Sequence, residues 1–521
     1  MPVITKLMLQ NFKQFPALEM DFDPGTNVLI GDNETGKSTV LLAIDLANSA
    51  SRSRVETLGL EAIINRQAVL AFLDSEKKFS DLPVVMVYVF LQEGDQPYFN
   101  GRQNQLGDDY DGIRMKIAVS DDYHLAIKQM LEHDPQNFPF EYYSVTFHTF
   151  SGEPFNSYRR PLRHLHLDSS RIDSEYAAKE YTRAVFGLHT EIAERHRLEN
   201  LYRRGKEGFR DKQLSEVNKK LPPYEFGIRS STRASLETDL VITQDGISIE
   251  NRGKGAQCFI KTEFALGRRD VQGGLDVLLL EEPENHLSHT NMKRLVEQLA
   301  HTGSTQLFIA THSSHICSRL DLRNALLLGT LQNTGRLKKL SPKTAGFFMK
   351  APDNNVLEFA LSKKVILVEG DAEFILMEQF YNRISGGDTP QGDQVHIISI
   401  GGTSFKRYLE LANLLNIKVA AIRDNDKNYE QNCVENYEGH TSENAKIFSD
   451  KDSQRYTFEV GLYLDNKEIC DKLFGKDRKT LSVQDYMLKN KAEAAFALLE
   501  DNHQSLTAPD YIKEAVSWIR K

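Results

Sequence analysis

Apolar and polar positions form three series along the chain, and each series predicts a strand, a polar loop and a helix. The first series occupies residues 1–45, the second occupies 275–318, and the third begins at 363–370. A separate run at 83–91, PVVMVYVFL, is β-branched and aromatic and is typical of a buried strand. Because strands that alternate with helices form parallel sheets, the sequence predicts an α/β fold.

The polar loop of the first series has the composition of a phosphate-binding loop. Its sequence, GDNETGKST at 31–39, is a complete G-x-x-x-x-G-K-[ST] motif between an apolar strand and an apolar-faced helix. Glycines let backbone N–H groups turn toward phosphates, the lysine reaches the β- and γ-phosphates, and the serine hydroxyl binds Mg²⁺. The helix that follows adds its N-terminal dipole to anion binding. The sequence therefore predicts an ATP site with its own Mg²⁺, formed by Gly31, Asn33, Gly36, Lys37, Ser38 and Thr39.

The second series supplies the other groups that phosphoryl transfer needs. The segment DVLLLEEPENHL at 276–287 delivers Glu281 and Glu282 to the end of a buried strand. There, one carboxylate can hold Mg²⁺ through water and the other can orient the attacking water. The next apolar strand, in QLFIATHSSH at 306–315, ends in a polar turn that carries His312. We assign cofactor binding to Glu281 and a catalytic role to Glu282.

These three motifs resemble the Walker A, Walker B and switch motifs of the SMC-like ABC ATPases. The resemblance implies a catalytic role for His312, which stands where the switch histidine of these ATPases does. In that superfamily two heads sandwich ATP, and a glycine-rich signature from one head caps the nucleotide bound to the other. The matching segment here is NRGKGAQ at 251–257, in which Lys254 stands where a serine is usual. Gln92 matches a glutamine that the family places at the end of a strand. The resemblance implies a homodimer or a higher homo-oligomer.

The third series and the strands after it end in acidic and glycine residues. In KKVILVEGDAEFILM at 363–377 the strand ends at Glu369, and Glu373 falls in the first turn of the following helix. The next apolar strand ends in the glycine pair of HIISIGG at 396–402. Open α/β sheets place their sites at the carboxyl ends of strands, so these residues are expected to meet.

A further apolar strand, in KVAAIRDND at 418–426, delivers Asp424 and Asp426 to the same edge. The alternation of side chains along a strand predicts that the two aspartates lie on the same side. Four carboxylates gathered there would repel one another unless divalent cations were present. The sequence therefore predicts a divalent metal site.

This arrangement resembles the Toprim domain of topoisomerases, primases and certain nucleases. An ABC-type head followed by Toprim resembles the OLD (overcoming lysogenization defect) nuclease family, which includes the nuclease subunit of the Gabija anti-phage system. The resemblance implies a two-metal centre that uses Mg²⁺ or Mn²⁺ and cleaves DNA. It leaves open a UvrD-like helicase subunit or another defence-system partner. The segments RYTFEVGLYL and NKAEAAFALL match later family segments, at 455–464 and 490–499. The implied metal ligands are Glu369, Glu373, Asp424, Asp426 and Glu459, and the implied catalytic residues are Glu369 and Lys491.

The segment at 174–220 is helical in pattern and rich in both signs of charge. It is too short for a coiled-coil arm and lacks sustained heptads, so we interpret it as an inserted dimerisation unit. The alternative is a helical subdomain that packs on its own head. A proline in the cluster APDNN at 351–355 predicts a boundary near 350–362. The predicted parts are the N-terminal part of the ATPase head (1–173), the insertion (174–220), the C-terminal part of the head (221–355) and a Rossmann-like Toprim nuclease domain (356–521).

Composition narrows the setting of this protein but not its chemistry. The 521 residues include four cysteines, which are far apart and fit a reducing cytoplasm. No run of about eighteen apolar residues occurs, so we expect no membrane partner. The net charge of −9 neither supports nor excludes DNA, which would need local basic segments such as those at 159–164 and 197–206.

We therefore predict an ATP-binding and ATP-hydrolysing, metal-dependent DNA endonuclease of anti-phage defence, which nicks DNA or cuts both strands. One alternative is an ATP-gated DNA repair or clamp protein with a non-cleaving Toprim domain. Another is a primase-like or topoisomerase-like enzyme. A topoisomerase should carry a nucleophilic tyrosine in a separate DNA-cleavage domain, for which the sequence offers no candidate.

Overall fold

The fold is taken from a computed structural model of the chain. Residue 174, residues 159–161 of the basic run and residues 351–354 of the predicted boundary lie outside the described part. The described residues are 3–94, 97–156, 162–171, 175–228, 236–266, 275–300, 305–329, 336–350, 355–402, 404–475, 481–502 and 505–521.

The chain divides into two compact units, Met1–His312 and Ser313–Lys521. The first unit contains two larger sheets and most of the predicted nucleotide motifs. Its strands are β1 (Ile4–Phe12), β2 (Phe15–Asp21), β3 (Thr26–Ile30), β4 (Val85–Leu91), β5 (Asn100–Gly101), β6 (Tyr110–Val119), β7 (Tyr143–Thr149), β8 (His164–Asp168), β9 (Thr243–Gln244), β10 (Ile247–Ser248), β11 (Val277–Glu281) and β12 (Gln306–Ala310). Its helices are α1 (Lys37–Ser49), α2 (Arg52–Leu58), α3 (Leu60–Ile63), α4 (Arg66–Leu73), α5 (His124–His133), α6 (Glu175–His189), α7 (Ile192–Gln213), α8 (Ser215–Asn218), α9 (Leu236–Asp239), α10 (Lys254–Leu266) and α11 (His289–Ala300).

Helix α1 packs against strands of both larger sheets of the first unit. One sheet is antiparallel, in the order β2-β1-β4-β6, with β7 and β5 also paired to β6. In the other, β3, β12, β11 and β8 are parallel neighbours in that order. The apolar runs of β11 and β12 are buried because helices and the other sheet cover them. Parallel alignment brings the loop after β3 and the ends of β11 and β12 to one edge.

The second unit is built around a parallel sheet in the order β15-β14-β16-β17. Its core includes fully buried residues of β14, α15 and α21, such as Ile366, Leu376 and Ile512. Its strands are β13 (Ala325–Leu327), β14 (Lys364–Val368), β15 (Val395–Ser399), β16 (Lys418–Ile422) and β17 (Ala445–Phe448). Its helices are α12 (Ser314–Arg319), α13 (Pro342–Lys350), α14 (Val356–Leu361), α15 (Asp371–Ser385), α16 (Phe405–Leu415), α17 (Phe458–Asp465), α18 (Lys467–Phe474), α19 (Val483–Lys489), α20 (Lys491–Asn502) and α21 (Asp510–Arg520).

The predicted α/β class is confirmed. The compact units, however, meet at 312/313, whereas the sequence places the start of the second domain at residue 356. The physical reason lies in α13, which precedes the predicted boundary. The hydroxyls of Ser341 and Thr344 and the Ser341 N–H all donate to the carboxylate of Glu410 on α16. The division into four parts, including the insertion at 174–220, stays a prediction.

Candidate nucleotide and metal sites

A cavity of about 160 Å³ lies beside the N-terminus of α1. The ends of β11 and β12 complete its wall, as the strand order requires. Of the residues assigned to the nucleotide site from the sequence, all but Gly31 line this cavity. They are Asn33, Gly36, Lys37, Ser38, Thr39, Glu281, Glu282 and His312.

The loop before α1 has a shape that only glycine allows at Gly36. Its φ is 101°, and an added Cβ would lie 2.2 Å from Cζ of Phe15. Lys37 begins the helix, and its buried ammonium donates to the carbonyl oxygens of Gly31 at 2.7 Å and Asp32 at 2.9 Å. Burial lowers the pKa of Lys37, although the charges of Glu282 and Asp32 oppose that effect. Gly31 therefore does not line the cavity, and its carbonyl oxygen holds the Lys37 ammonium instead.

Glu282 and His312 face each other across the cavity, with Nε2 of His312 lying 3.6 Å from Oε1 of Glu282. Glu282 has a φ of 46°, and its N–H donates to the Ala310 carbonyl at 2.8 Å. The Asn285 amide donates to its Oε2 at 2.6 Å. These contacts hold the carboxylate where the predicted water-orienting role needs it.

Glu284, which we did not identify from the sequence, joins the ends of β11 and β12. Its Oε1 accepts the Thr311 hydroxyl at 2.5 Å and the His312 N–H at 2.9 Å. The acidic run EEPE signals it only weakly, because the sequence does not show which carboxylate reaches the next strand. Glu284 therefore fixes the turn that carries His312.

Glu281 lines the cavity and also faces a histidine from the neighbouring strand. Nε2 of His166 on β8 lies 3.6 Å from Oε2 of Glu281, and its Nδ1 lies 3.2 Å from Oδ2 of Asp45 on α1. Burial alone would lower the pKa of His166, but the two carboxylates outweigh it and raise that pKa to about 9. Nothing in the spacing of these residues along the chain identifies this contact.

The glutamine that lines the cavity is Gln14, between β1 and β2, and not Gln92. Gln14 accepts the Thr39 hydroxyl at 2.7 Å, whereas Gln92 is exposed after β4.

Helix α10 begins at Lys254, within the signature segment 251–257. An added Cβ at Gly255 would lie 2.2 Å from the carbonyl oxygen of His286, so this glycine lets α10 approach the loop that follows Glu282.

In the second unit, β14, β15 and β16 are parallel neighbours, and their carboxyl ends share one edge. Glu369 directly follows β14. The N–H of Gly402 donates to the Glu369 carbonyl at 2.9 Å, and the φ of Gly402 is 142°. The predicted glycine pair thus lets the chain after β15 cross close to Glu369.

Asp424 and Asp426 lie at the same edge but in different surroundings. Strand β16 ends at Ile422, so the strand alternation used in the sequence prediction does not apply to them. Asp424 is buried and accepts the Phe458 N–H at 2.7 Å. Asp426 has a φ of 48° and is exposed, and Nη2 of Arg423 lies 3.5 Å from its Oδ2. Strand alternation therefore does not support the prediction that the two lie on one side, which stays a prediction, although both aspartates lie close enough to Glu369 to affect its ionisation.

Glu373 and Glu459 are buried in the first turns of α15 and α17. Burial, followed by the charge of Glu459, raises the pKa of Glu373 to about 7. Burial and the charges of Glu373 and Glu369 raise the pKa of Asp424 to about 8. These shifts show that several carboxylates are close enough to oppose one another's ionisation.

Lys491 is one cation of this cluster, with Nζ lying 3.1 Å from Oε1 of Glu459. Burial lowers the pKa of Lys491, but the charge of Glu459 outweighs this and the pKa is raised. Arg423, whose charge acts on Glu369, is the second cation, and the two do not balance the five carboxylates predicted for this site. Among the described residues, no hydrogen bond reaches buried Oε2 of Glu459 or of Glu369.

Asn425, the middle residue of DND, has a structural role that the sequence did not reveal. It is buried, and its amide donates to the carbonyl oxygens of Asp450 at 2.8 Å and Asp452 at 3.0 Å. It thereby fixes the loop that leads to Glu459, which is why a short polar amide stands between the two aspartates.

These side chains suit a divalent cation chemically. Carboxylate oxygens are the ligands that Mg²⁺ and Mn²⁺ prefer, and a cation would balance the crowded charges and occupy the free lone pairs. As the side chains stand, the described part of the chain contains no group of three His, Cys, Asp or Glu residues spaced to hold a metal ion. The donor set fits, and its members would have to close on the ion.

Comparison with known families finds three matches along the chain. The family described as "Overcoming lysogenization defect protein-like, TOPRIM domain" matches residues 361–426. An AAA ATPase domain matches residues 3–88, and the family "AAA domain, putative AbiEii toxin, Type IV TA system" matches residues 247–318. The matches cover the loop before α1, the ends of β11 and β12, and the acidic edge of the second unit.

A curated relative is the DNA replication and repair protein RecF of Halalkalibacterium halodurans. It is 28% identical over 109 residues, which are 21% of this chain and 29% of that protein. This chain therefore spans less than a third of the length of that relative.

In the described part, no helix is both long and apolar enough to cross a membrane.

Similar solved structures include the C-terminal region of the Burkholderia pseudomallei OLD protein. It is 17% identical, with a TM-score of 0.26, and covers 30% of this chain and 97% of that one. The SMC head domain from Thermotoga maritima is 15% identical, with a TM-score of 0.28, and covers 62% and 93% respectively. Scores this low carry no argument about activity.

Proposed function

We propose that this chain, in which ATPase segments precede a Toprim domain of the OLD-like family, is an ATP-regulated, metal-dependent DNA endonuclease. The observation that carries the proposal is the cluster of buried carboxylates at the ends of β14 and β16. Asp424 with a pKa raised to about 8 would be protonated much of the time in the free protein. Clustered carboxylates with strongly raised pKa values are typical of sites where a cation and a reaction need them.

The chain's own residues would divide the work at this edge. Glu369 and Asp426 would hold one divalent ion, and Asp424, Glu373 and Glu459 would hold the other. Two bound Mg²⁺ or Mn²⁺ ions supply an activated water and stabilise the leaving oxygen. Lys491, beside Glu459, would balance the charge of the phosphate under attack. Arg423 donates to the Tyr437 hydroxyl and faces Glu369. Its positive charge therefore partly offsets the negative charges around that carboxylate.

The ATPase unit would control access to DNA. Lys37 and the N–H groups at the start of α1 would bind the phosphates, with Ser38 and Glu281 near the Mg²⁺ ion. Glu282 would orient the attacking water, and His312, 3.6 Å away, would contact the γ-phosphate side. A homodimer, supplying the signature segment of a second head, would complete the site. DNA is the proposed partner, the cytoplasm the proposed location and anti-phage defence the proposed setting.

A second candidate is an ATP-gated DNA repair or clamp protein whose Toprim domain does not cleave. The similarity to RecF, described as a DNA replication and repair protein, favours this candidate for the N-terminal segment. The complete set of carboxylates at the other site favours cleavage, because a binding role alone would not require them.

The test is incubation of purified protein with supercoiled plasmid in Mg²⁺, in Mn²⁺ and in EDTA, each with and without ATP. We expect nicked or linear DNA with either metal and intact plasmid in EDTA, and ATP should change the rate. DNA binding without cleavage under every condition would instead support the repair or clamp function.

A further inference from the structure

A buried group of polar side chains on α1 and β8 lies beside Glu281. Asp45 on α1 is almost completely buried, with a side chain only 1% exposed. It accepts from three groups: Arg54 at 2.5 Å, His164 at 2.9 Å and His166 at 3.2 Å. The position of this carboxylate is therefore fixed from several directions at once.

His166 connects this fixed carboxylate to the nucleotide site. Its Nδ1 faces Asp45, and its Nε2 lies 3.6 Å from Oε2 of Glu281, within the range of an ion pair. Strands β8 and β11 are parallel neighbours with Asp168 opposite Glu281, so backbone pairing sets the separation of the two strands. Of these network residues, only Glu281 lines the cavity.

We infer that His166 is a positioning residue of the ATPase site, which holds the Glu281 carboxylate where the Mg²⁺ of bound ATP requires it. The inference rests on the proposed ATPase function. Residues behind a metal-holding carboxylate orient it and commonly change metal affinity about 10- to 100-fold when replaced. His166 orients Glu281 by contacting both Glu281 and Asp45. Asp45 is part of α1, the helix that begins at Lys37. The network thus links the phosphate-binding helix to the carboxylate across the cavity.

His164 provides a matched control within the same strand. It lies two residues before His166, contacts Asp45 at 2.9 Å and has a side chain that is 4% exposed, against 12% for His166. Its other ring nitrogen faces the Asn48 amide, 2.5 Å away, and not Glu281. Replacing His164 therefore disturbs the same packing and the same carboxylate but leaves the bridge to Glu281 in place.

The test compares the affinity of the full-length protein for ATP in EDTA and in Mg²⁺, measured by calorimetry, with no DNA present. The variants are His166→Ala, His166→Gln, His164→Ala, Glu281→Gln and the double variant His166→Ala with Glu281→Gln. We expect Mg²⁺ to tighten ATP binding in the wild type and in His164→Ala. In His166→Ala that tightening should fall about tenfold, with binding in EDTA unchanged as a check on folding. His166→Gln, which keeps one N–H donor, should lose less.

The double variant distinguishes positioning from general damage. If His166 acts through Glu281, adding His166→Ala to Glu281→Gln should cause no further loss. Equal losses in His164→Ala and His166→Ala, or a full additional loss in the double variant, would overturn the inference. DNA cleavage takes no part in this measurement, so a protein that fails to cut DNA can still show the effect. A wild type that binds no ATP would remove both the ATPase proposal and this inference.

Discussion

Burial sets the charge state of individual carboxylates at the ends of β14 and β16. The pKa of Asp424 is raised from 3.8 to about 8, and that of Glu373 from 4.5 to about 7. The folded state therefore favours the protonated forms, and the protein loses stability as pH rises from about 4 through 7 and 8. A divalent cation reverses this loss by pairing with the ionised forms.

Asp424→Asn should stabilise the metal-free protein at pH 8. The amide keeps the acceptor for the Phe458 N–H but carries no charge. The free energy of unfolding of the second unit should rise by about 1 kcal/mol or more, since one unit of pKa shift corresponds to about 1.4 kcal/mol. Thermal melting in EDTA checks this, and Mg²⁺ should stabilise the wild type more at pH 8 than at pH 5. A variant that is less stable at pH 8 would contradict the account.

Lys37→Ala and Glu282→Gln should separate ATP binding from hydrolysis. Lys37 already donates to two carbonyl groups inside the loop, so its loss removes both the phosphate contact and the loop's support. Glu282→Gln keeps the size of the side chain and loses only the water-orienting carboxylate. We expect no binding in the first variant, and binding with hydrolysis at least about 100-fold slower in the second. Normal hydrolysis by Glu282→Gln would mean that Glu281 and Glu282 have been assigned each other's roles.

Residues on a motif could be predicted from the sequence, whereas residues that act from a neighbouring element could not. Lys37, Glu282 and Glu369 stand at fixed distances from a strand end or a helix start, and the structure brings each to a site edge. Asp45 and His166 belong to a helix and a strand far apart in sequence, and only the packing of α1 against β8 brings them together.

At the scale of elements, α10 and the loop after β11 depend on close contact at Gly255. Gly255→Ala would place a Cβ 2.2 Å from the carbonyl oxygen of His286, a fixed backbone atom. We expect a loss of about 1–3 kcal/mol in the stability of the first unit and weaker ATP hydrolysis. Gly253→Ala, in the same segment, has no atom within 4 Å and should leave that stability unchanged. Thermal melting compares the two variants and an ATPase assay follows hydrolysis by Gly255→Ala, and equal losses of stability would show that the contact does not matter.

The hydrophobic pattern predicts where the strands lie, but it predicts less accurately where they end. Strands β11, β12, β14 and β16 are continuous apolar runs, which is why the sequence locates them. Periodicity does not reveal that β16 stops at Ile422, before the acidic pair, because the turn there depends on hydrogen bonds of the Asn425 side chain, whose oxygen accepts the Lys427 N–H. Periodicity also does not reveal that the segment at 341–350, which the sequence places in the ATPase head, contacts Glu410 of the second unit.

At the scale of the whole molecule, the predicted dimer depends on the insertion. Helix α7 has 22 residues, and none of those whose side chains are described is buried. Leu201 and Phe209, eight residues apart on one side of the helix, are 53% and 54% exposed. We expect a dimer at micromolar concentration without ATP, and a monomer when both are replaced by serine, as measured by light scattering. A wild-type monomer would refute a permanent contact, and a dimeric double variant would move the contact elsewhere.

The most direct test of the central claim is plasmid cleavage by a variant that lacks Asp424 and Asp426 as carboxylates but keeps the ATPase unit intact. Asp424→Asn with Asp426→Asn should leave ATP binding at the wild-type level, because Lys37, Glu281 and Glu282 lie in the other unit. We expect supercoiled plasmid to stay intact with this variant in Mg²⁺ or Mn²⁺, while the wild type cuts it. Undiminished nicking by the variant would contradict the assignment of the nuclease centre to this edge.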